Sequence, residues 1–159
     1  MGMHVYLVQH GEAVPKGEDP DRPLSDNGRR DVGRIAVFLA RRRPPLSRVI
    51  HSGKLRSAQT ALIFSEILGA GRIVEEASNG LAPNDPPEIA AAAIDGWTDD
   101  TMIVGHMPQL GRLAALLITG REHEAVVHFQ PGTVVCLDRG ENGDGWTIAW
   151  IVRPSLFGG

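Results

Sequence analysis

The chain has 159 residues, 42% of them hydrophobic and 22% charged, with a formal net charge of −3. That length and balance fit one domain over residues 1–159, exclude a disordered chain, and argue against nucleic acid or a membrane surface as partner. The single cysteine, Cys136, excludes an intrachain disulfide, and the lack of a basic leader or a bilayer-length apolar run predicts a cytoplasmic location.

The first apolar run, residues 5–8, reads as a buried strand ending in a polar tip, Gln9-His10-Gly11-Glu12. A histidine followed by glycine is how an α/β sheet presents a reactive side chain, since glycine lets the chain turn and a ligand approach the backbone. Residues 13–22, rich in Pro, Gly and acids, read as a loop. Ser25 is a good N-cap with Asp26 in the first turn, and Val32, Ile35, Phe38 and Leu39 follow at helical spacing. Arg41-Arg42-Arg43 close that helix before Pro44 and Pro45. Residues 48–50 predict a second strand, and Ser52 is read as the cap of a helix turning Leu55, Leu62, Ile63 and Ile67 inward.

Residues 72–74 predict a third strand, 75–87 a surface loop, and 87–94 a short Ala-rich helix. Residues 101–104 predict another buried strand, ending in Gly105-His106-Met107-Pro108. Leu110, Leu113, Ala114, Leu117 and Ile118 then mark the clearest helix of the chain. Strands over 133–137 and 146–152, joined by a Gly-rich turn around Asn142-Gly143-Asp144-Gly145, close the sequence. The alternation predicts an α/β fold: a three-layer α/β/α sandwich on a mixed, mostly parallel sheet.

Val8, Ile50 and Val104 each lead into a polar strand end that carries a histidine and is flanked by glycine, as Gln9-His10-Gly11, His51-Ser52-Gly53 and Gly105-His106. In an open α/β sheet such ends share one edge, so His10, Ser52, Arg56 and His106 are expected to converge. The amides at the helix start after Ser52 favour an anion. Arg22 from the first loop adds charge, and the composite suits a phosphoryl group.

Val8 to Glu12, Arg22-Pro23-Leu24-Ser25 with Gly28, Ser52 with Arg56 and Gln59-Thr60, and Gly105-His106-Met107-Pro108 together resemble the histidine phosphatase superfamily. The RPLS…NG, LRSAQT and GHMP stretches are most similar to its phosphohistidine phosphatase SixA branch. The resemblance spans residues 5–150 and implies a phosphoglycerate mutase-like fold and a phosphoryl-group hydrolase without cofactor or metal. It implies His10 as nucleophile, with Arg56 and His106 completing the catalytic set. Gln9, Gly11, Arg22, Ser52, Arg56 and His106 form the implied phosphate-binding set. The implied partner is a protein bearing phosphohistidine, such as a phosphotransfer domain of a signalling relay.

The chain departs from the family pattern at two places. Gln9 stands where the family has arginine, and losing that contact would cost about 1.5–3 kcal/mol if nothing compensates. Lys54, one of only two lysines with Lys16, is the better candidate for compensating charge. The glutamate that many members use as general acid aligns with Gly80, and neither Asp85 nor Glu88 can be assigned that role from sequence. A missing acid disfavours alkoxide leaving groups, whereas the imidazole of phosphohistidine is protonated readily near neutral pH. The alternatives are a catalytically weakened phospho-ligand binding module and a small-molecule phosphomonoesterase of the same superfamily. A metallohydrolase built on His4, His10, His51 and His106 is disfavoured, because neither HxH nor HExxH occurs. His123 and His128 fit no ligand pattern.

Overall fold

Successive residues of a strand face opposite sides of its sheet, and β1 (Met3–Gln9) is apolar on both. Val5 and Leu7 enter one core and Tyr6 and Val8 the other, so this strand must lie between two layers of helices. The computed structural model, which describes residues 2–69, 73–143 and 145–158, shows that arrangement. The remaining strands are β2 (Arg48–His51), β3 (Ile73–Glu76), β4 (Thr101–Gly105), β5 (Val134–Arg139) and β6 (Trp146–Val152). Their order in the sheet is β3-β2-β4-β1-β5-β6. The first four run parallel, and β5 and β6 add an antiparallel hairpin at the edge beyond β1.

Helices α1 (Asp26–Ala40) and α2 (Leu55–Leu68) cover the Tyr6 and Val8 face, with Val32, Ile35, Leu39, Ala61 and Phe64 in that core. Helices α3 (Pro87–Asp95) and α4 (Gln109–Thr119) cover the other, with Ala90, Ile94, Leu110, Leu113 and Ala114 beneath them. The α/β sandwich and its mixed sheet are as the pattern of elements predicts. No helix among the described residues is long and apolar enough to cross a membrane.

Ser25 caps α1 as expected, its Oγ accepting from Gly28 N–H at 3.0 Å. Four details differ from the sequence reading. The basic run lies beyond α1, which ends at Ala40, and Arg42 packs its guanidinium 4.1 Å from the Phe38 ring centroid. Ser52 does not cap α2: the helix begins at Leu55 after Lys54, with no side-chain cap, and Ser52 Oγ faces His106 instead. The buried face of α2 is Ser57, Thr60, Ala61 and Phe64, with Ile63 and Ile67 packed against the same core as expected, while Leu55 and Leu62 are 40% and 49% exposed. Finally, β3 runs on to Glu76, which shortens the expected loop. The predicted strand start at Arg72 and the turn residue Asp144 lie outside the described residues.

Candidate active site

The parallel register sets Gln9 beside Gly105 and His51 beside Val104, which brings the ends of β1, β2 and β4 to one edge of the sheet. The tip after β1 is held by its backbone. Gln9 N–H donates to Thr133 O and His10 N–H to Gly105 O, both at 3.1 Å. Gly11 N–H donates to Thr60 Oγ1 at 3.1 Å, and that hydroxyl donates to Arg56 O at 2.8 Å. The ring of His10 is fixed as well, with Nδ1 2.7 Å from Gly11 O. A carbonyl oxygen can only accept, so Nδ1 carries the proton and Nε2 the lone pair.

His106 stands beside it, ring centroids 4.9 Å apart, and is only 2% exposed. Its Nε2 lies 2.6 Å from Ser52 Oγ, which fixes the imidazole, and its Nδ1 is buried without a partner. His10, His106, Arg22, Arg56, Gln9 and Glu12 line one recess of about 460 Å³. Hollows of similar size occur elsewhere, one of them beside Arg48, Trp97 and Ile103, but that one gathers no imidazoles. What distinguishes the site is its chemistry.

Arg22 reaches the recess from a backbone with φ 48°, a conformation that costs a non-glycine residue about 1–3 kcal/mol and clusters at functional sites. The loop holds it there through Val14 N–H to Pro23 O at 2.8 Å and Arg22 N–H to Asp19 O at 3.0 Å. Its Nε donates to Val14 O at 3.1 Å. Arg56, on the first turn of α2, keeps its Nε buried with no partner. Burial, then the nearby Arg22 charge, lowers the Arg56 pKa.

The same environment acts on both imidazoles. Burial, with Arg56 and Arg22 adding to it and the Gly11 carbonyl opposing, pushes His10 down to about 4. Burial, followed by His10, Arg56, Lys54 and Arg22, pushes His106 down to about 3. Both rings are therefore neutral at pH 7, and a neutral imidazole with a free Nε2 lone pair, as in His10, has the form that nucleophilic attack requires. The positive field that adds to burial in holding these pKa values down is also what an anion would neutralise.

Gly11 serves a different purpose from the one read in the sequence. A Cβ there would meet Val32 Cγ2 at 2.7 Å, so the glycine lets the tip lie against α1 and not against a ligand. Gly28 answers it from the helix, where a Cβ would collide with the Glu12 carbonyl. Gly11 is buried, its amide is taken by Thr60, and it does not line the recess. Ser52 reaches the site only through His106. Lys54 lines an adjoining hollow that shares Arg22 and Arg56 with the first.

Sequence reading missed Ser57, whose Oγ accepts from Ser52 N–H at 3.1 Å and donates to Val104 O at 2.8 Å. The signal was available, since Ser57 and Thr60 are polar residues three apart on one helix face.

The histidine phosphatase superfamily (branch 1) model matches residues 5–79. Phosphohistidine phosphatase SixA of Escherichia coli (strain K12) is 26% identical over 157 residues, covering 96% of this chain and 94% of that protein. An uncharacterized protein of Picosynechococcus sp. is 30% identical over 128 residues, 75% of each chain. The solved structure of the protein histidine phosphatase SixA complexed with tungstate matches with a TM-score of 0.85 at 26% identity, over 98% of this chain and 99% of that one. The chain belongs to the histidine phosphatase superfamily.

Membership together with the full-length likeness to SixA makes the chain a phosphatase, and its departures from the superfamily pattern can be placed. Gln9 lines the recess with its Oε1 buried and unpartnered. Gly80 has φ 92°, and a side chain there would meet Ile89 Cγ2 at 2.8 Å, so this backbone does not accommodate the usual acid. Asp85 does not line the recess, and its Oδ2 accepts from Gly80 N–H and Ala82 N–H of its own loop, both at 3.0 Å. Glu88 is on the surface beside Glu122. Glu12 is the one carboxylate on the recess wall, and its Oε1 accepts from Ser25 Oγ at 2.8 Å.

The four-histidine metal site is not formed. Among the described residues no group of three or more His, Cys, Asp or Glu side chains is placed to hold a metal ion. His4 pairs with Asp100 at 3.4 Å near the opposite end of β1, and His51 Nδ1 accepts from Gly53 N–H at 3.0 Å. His123 lies 3.5 Å from Glu122, away from the recess.

Proposed function

We propose that this phosphatase hydrolyses phosphohistidine on another protein through a covalent phosphohistidine on His10, without a metal ion. The observation that carries the reading is the His10 ring, with Nδ1–H held by Gly11 O and Nε2 free beside His106, Arg22 and Arg56. In the first step His10 Nε2 forms a bond to phosphorus while the bond to the substrate imidazole breaks. The substrate imidazole, already protonated, departs neutral and needs no acid from the enzyme. Water then displaces His10 and releases inorganic phosphate. Arg22 and Arg56 offset the charge on the phosphoryl oxygens, which is the larger part of catalysing such a transfer, and His106 joins them as the bound anion raises its pKa.

Three further facts support this reading. Full-length similarity to the Escherichia coli phosphohistidine phosphatase points to the same substrate class. Tungstate is a tetrahedral oxyanion like phosphate, and its presence in the matched SixA structure fits an oxyanion in this recess. The lack of a usable carboxylate at Gly80, Asp85 or Glu88 disfavours sugar and alcohol phosphates. The test is to incubate wild type and His10→Ala with a phosphohistidine peptide and with an alkyl phosphomonoester, each in the presence of a chelator. The reading expects turnover of the peptide by wild type alone, and little of the ester by either. Gln9 favours one second reading, a phospho-ligand binding module, which predicts phosphate binding with no turnover of either substrate.

A further inference from the structure

Beside the phosphoryl recess lies a second hollow of about 570 Å³, and the two share Arg22 and Arg56 as walls. Its other cations are Lys16 and Lys54, the only two lysines in the chain. Both are exposed, and neither forms an ion pair among the described residues. Asp21 is the one carboxylate on this wall. A chain of net charge −3 thus gathers Lys16, Arg22, Lys54 and Arg56 around one hollow against a single acid.

The backbone presents both lysines in fixed places. Lys16 sits in a turn closed by Glu18 N–H and Asp19 N–H on Pro15 O, at 3.0 and 3.2 Å. Lys54 follows Gly53, at φ 91°, and its own N–H donates to Ser52 Oγ at 3.3 Å. A phosphoryl group beside His10 would occupy the Arg22 and Arg56 side and leave the lysine side without an anion.

We propose that this second hollow is an anion subsite that reads an acidic residue flanking the phosphohistidine of the partner protein. The proposal rests on the phosphohistidine phosphatase reading and names what that site selects. Charge complementarity of this kind sets partner choice and encounter rate more than raw affinity. A protein partner can carry a carboxylate beside its phosphohistidine, which suits cations presented on a wall that adjoins the phosphoryl recess.

The experiment uses two phosphohistidine peptides that differ only in their flanking residues, glutamates in one and alanines in the other. At low salt the wild type should show a kcat/KM about fivefold higher for the glutamate peptide, as expected for two exposed ion pairs. Lys16→Glu should abolish that preference while turning over the alanine peptide at the wild-type rate. Calorimetric binding of both peptides to His10→Ala should show the same preference, so the subsite can be judged even if no turnover is found and the phosphatase reading fails. Equal handling of the two peptides by wild type, or a preference that survives in Lys16→Glu, would overturn the proposal.

Discussion

At position 9 a neutral amide takes the place of a guanidinium, and its Oε1 is buried with nothing to accept from. If the recess binds a phosphoryl group, restoring the arginine should strengthen that binding. Gln9→Arg is expected to raise the affinity for inorganic phosphate roughly tenfold, equivalent to about 1.4 kcal/mol. Calorimetry checks this, and an unchanged affinity would show that Arg22 and Arg56 already supply what the anion needs. The two imidazoles give a second prediction. Their pKa values, pushed down to about 4 for His10 and about 3 for His106, belong to a site without an anion, and a bound anion raises them. Sulfate carries no proton in this range, so its affinity should increase from pH 7 to pH 5. His10, with the higher of the two values, should carry the larger share of that slope, so His10→Asn should flatten it more than His106→Asn does.

Helix α2 organises the site from behind. Its inward Ser57 and Thr60 tie the tips of β1, β2 and β4 together through Gly11, Ser52 and Val104. Thr60→Val keeps the shape but leaves the buried Gly11 N–H without an acceptor, a loss of about 1–3 kcal/mol. Thermal denaturation should show that loss, and kcat should fall more than KM changes, because the His10 tip is displaced and the arginines are not. Ser25→Ala removes the α1 cap and should lower stability by about 1 kcal/mol. The contrast between these helices shows what could be read from sequence. The cap and the apolar stripe of α1 obey ordinary rules and were legible. The inward face of α2 was legible only at Ile63 and Ile67, because the helix spends two core positions on polar residues that hold strand tips, which pushed the rest of the apolar reading onto the exposed Leu55 and Leu62. The convergence of His10, Arg56 and His106 was legible, since parallel strands share an edge, whereas Ser52, expected with them, reaches the recess only through His106. The reason for Gly11 was not, because only the packed structure shows α1 against it.

Across the whole molecule, the sheet carries a core on each face, and the site occupies the edge where the parallel strands end. Burying two imidazoles there links stability to pH. Both fold with pKa values below the ordinary 6.5, so the unfolded chain binds protons more readily. Their contribution is fully present above about pH 6.5 and is lost as pH falls towards 4 and then 3. Urea denaturation should therefore show stability declining below pH 6.5, less steeply in His10→Ala, and phosphate should offset part of the decline by binding only the folded state. The central claim, that His10 carries the phosphoryl group, is tested most directly by trapping the intermediate. Wild type is mixed with a phosphohistidine peptide labelled on phosphorus, quenched within one turnover, and digested to locate the label. The account predicts an acid-labile, alkali-stable phosphoryl group on His10 that appears and decays with turnover. Label on another residue, or undiminished turnover by His10→Ala, would contradict it.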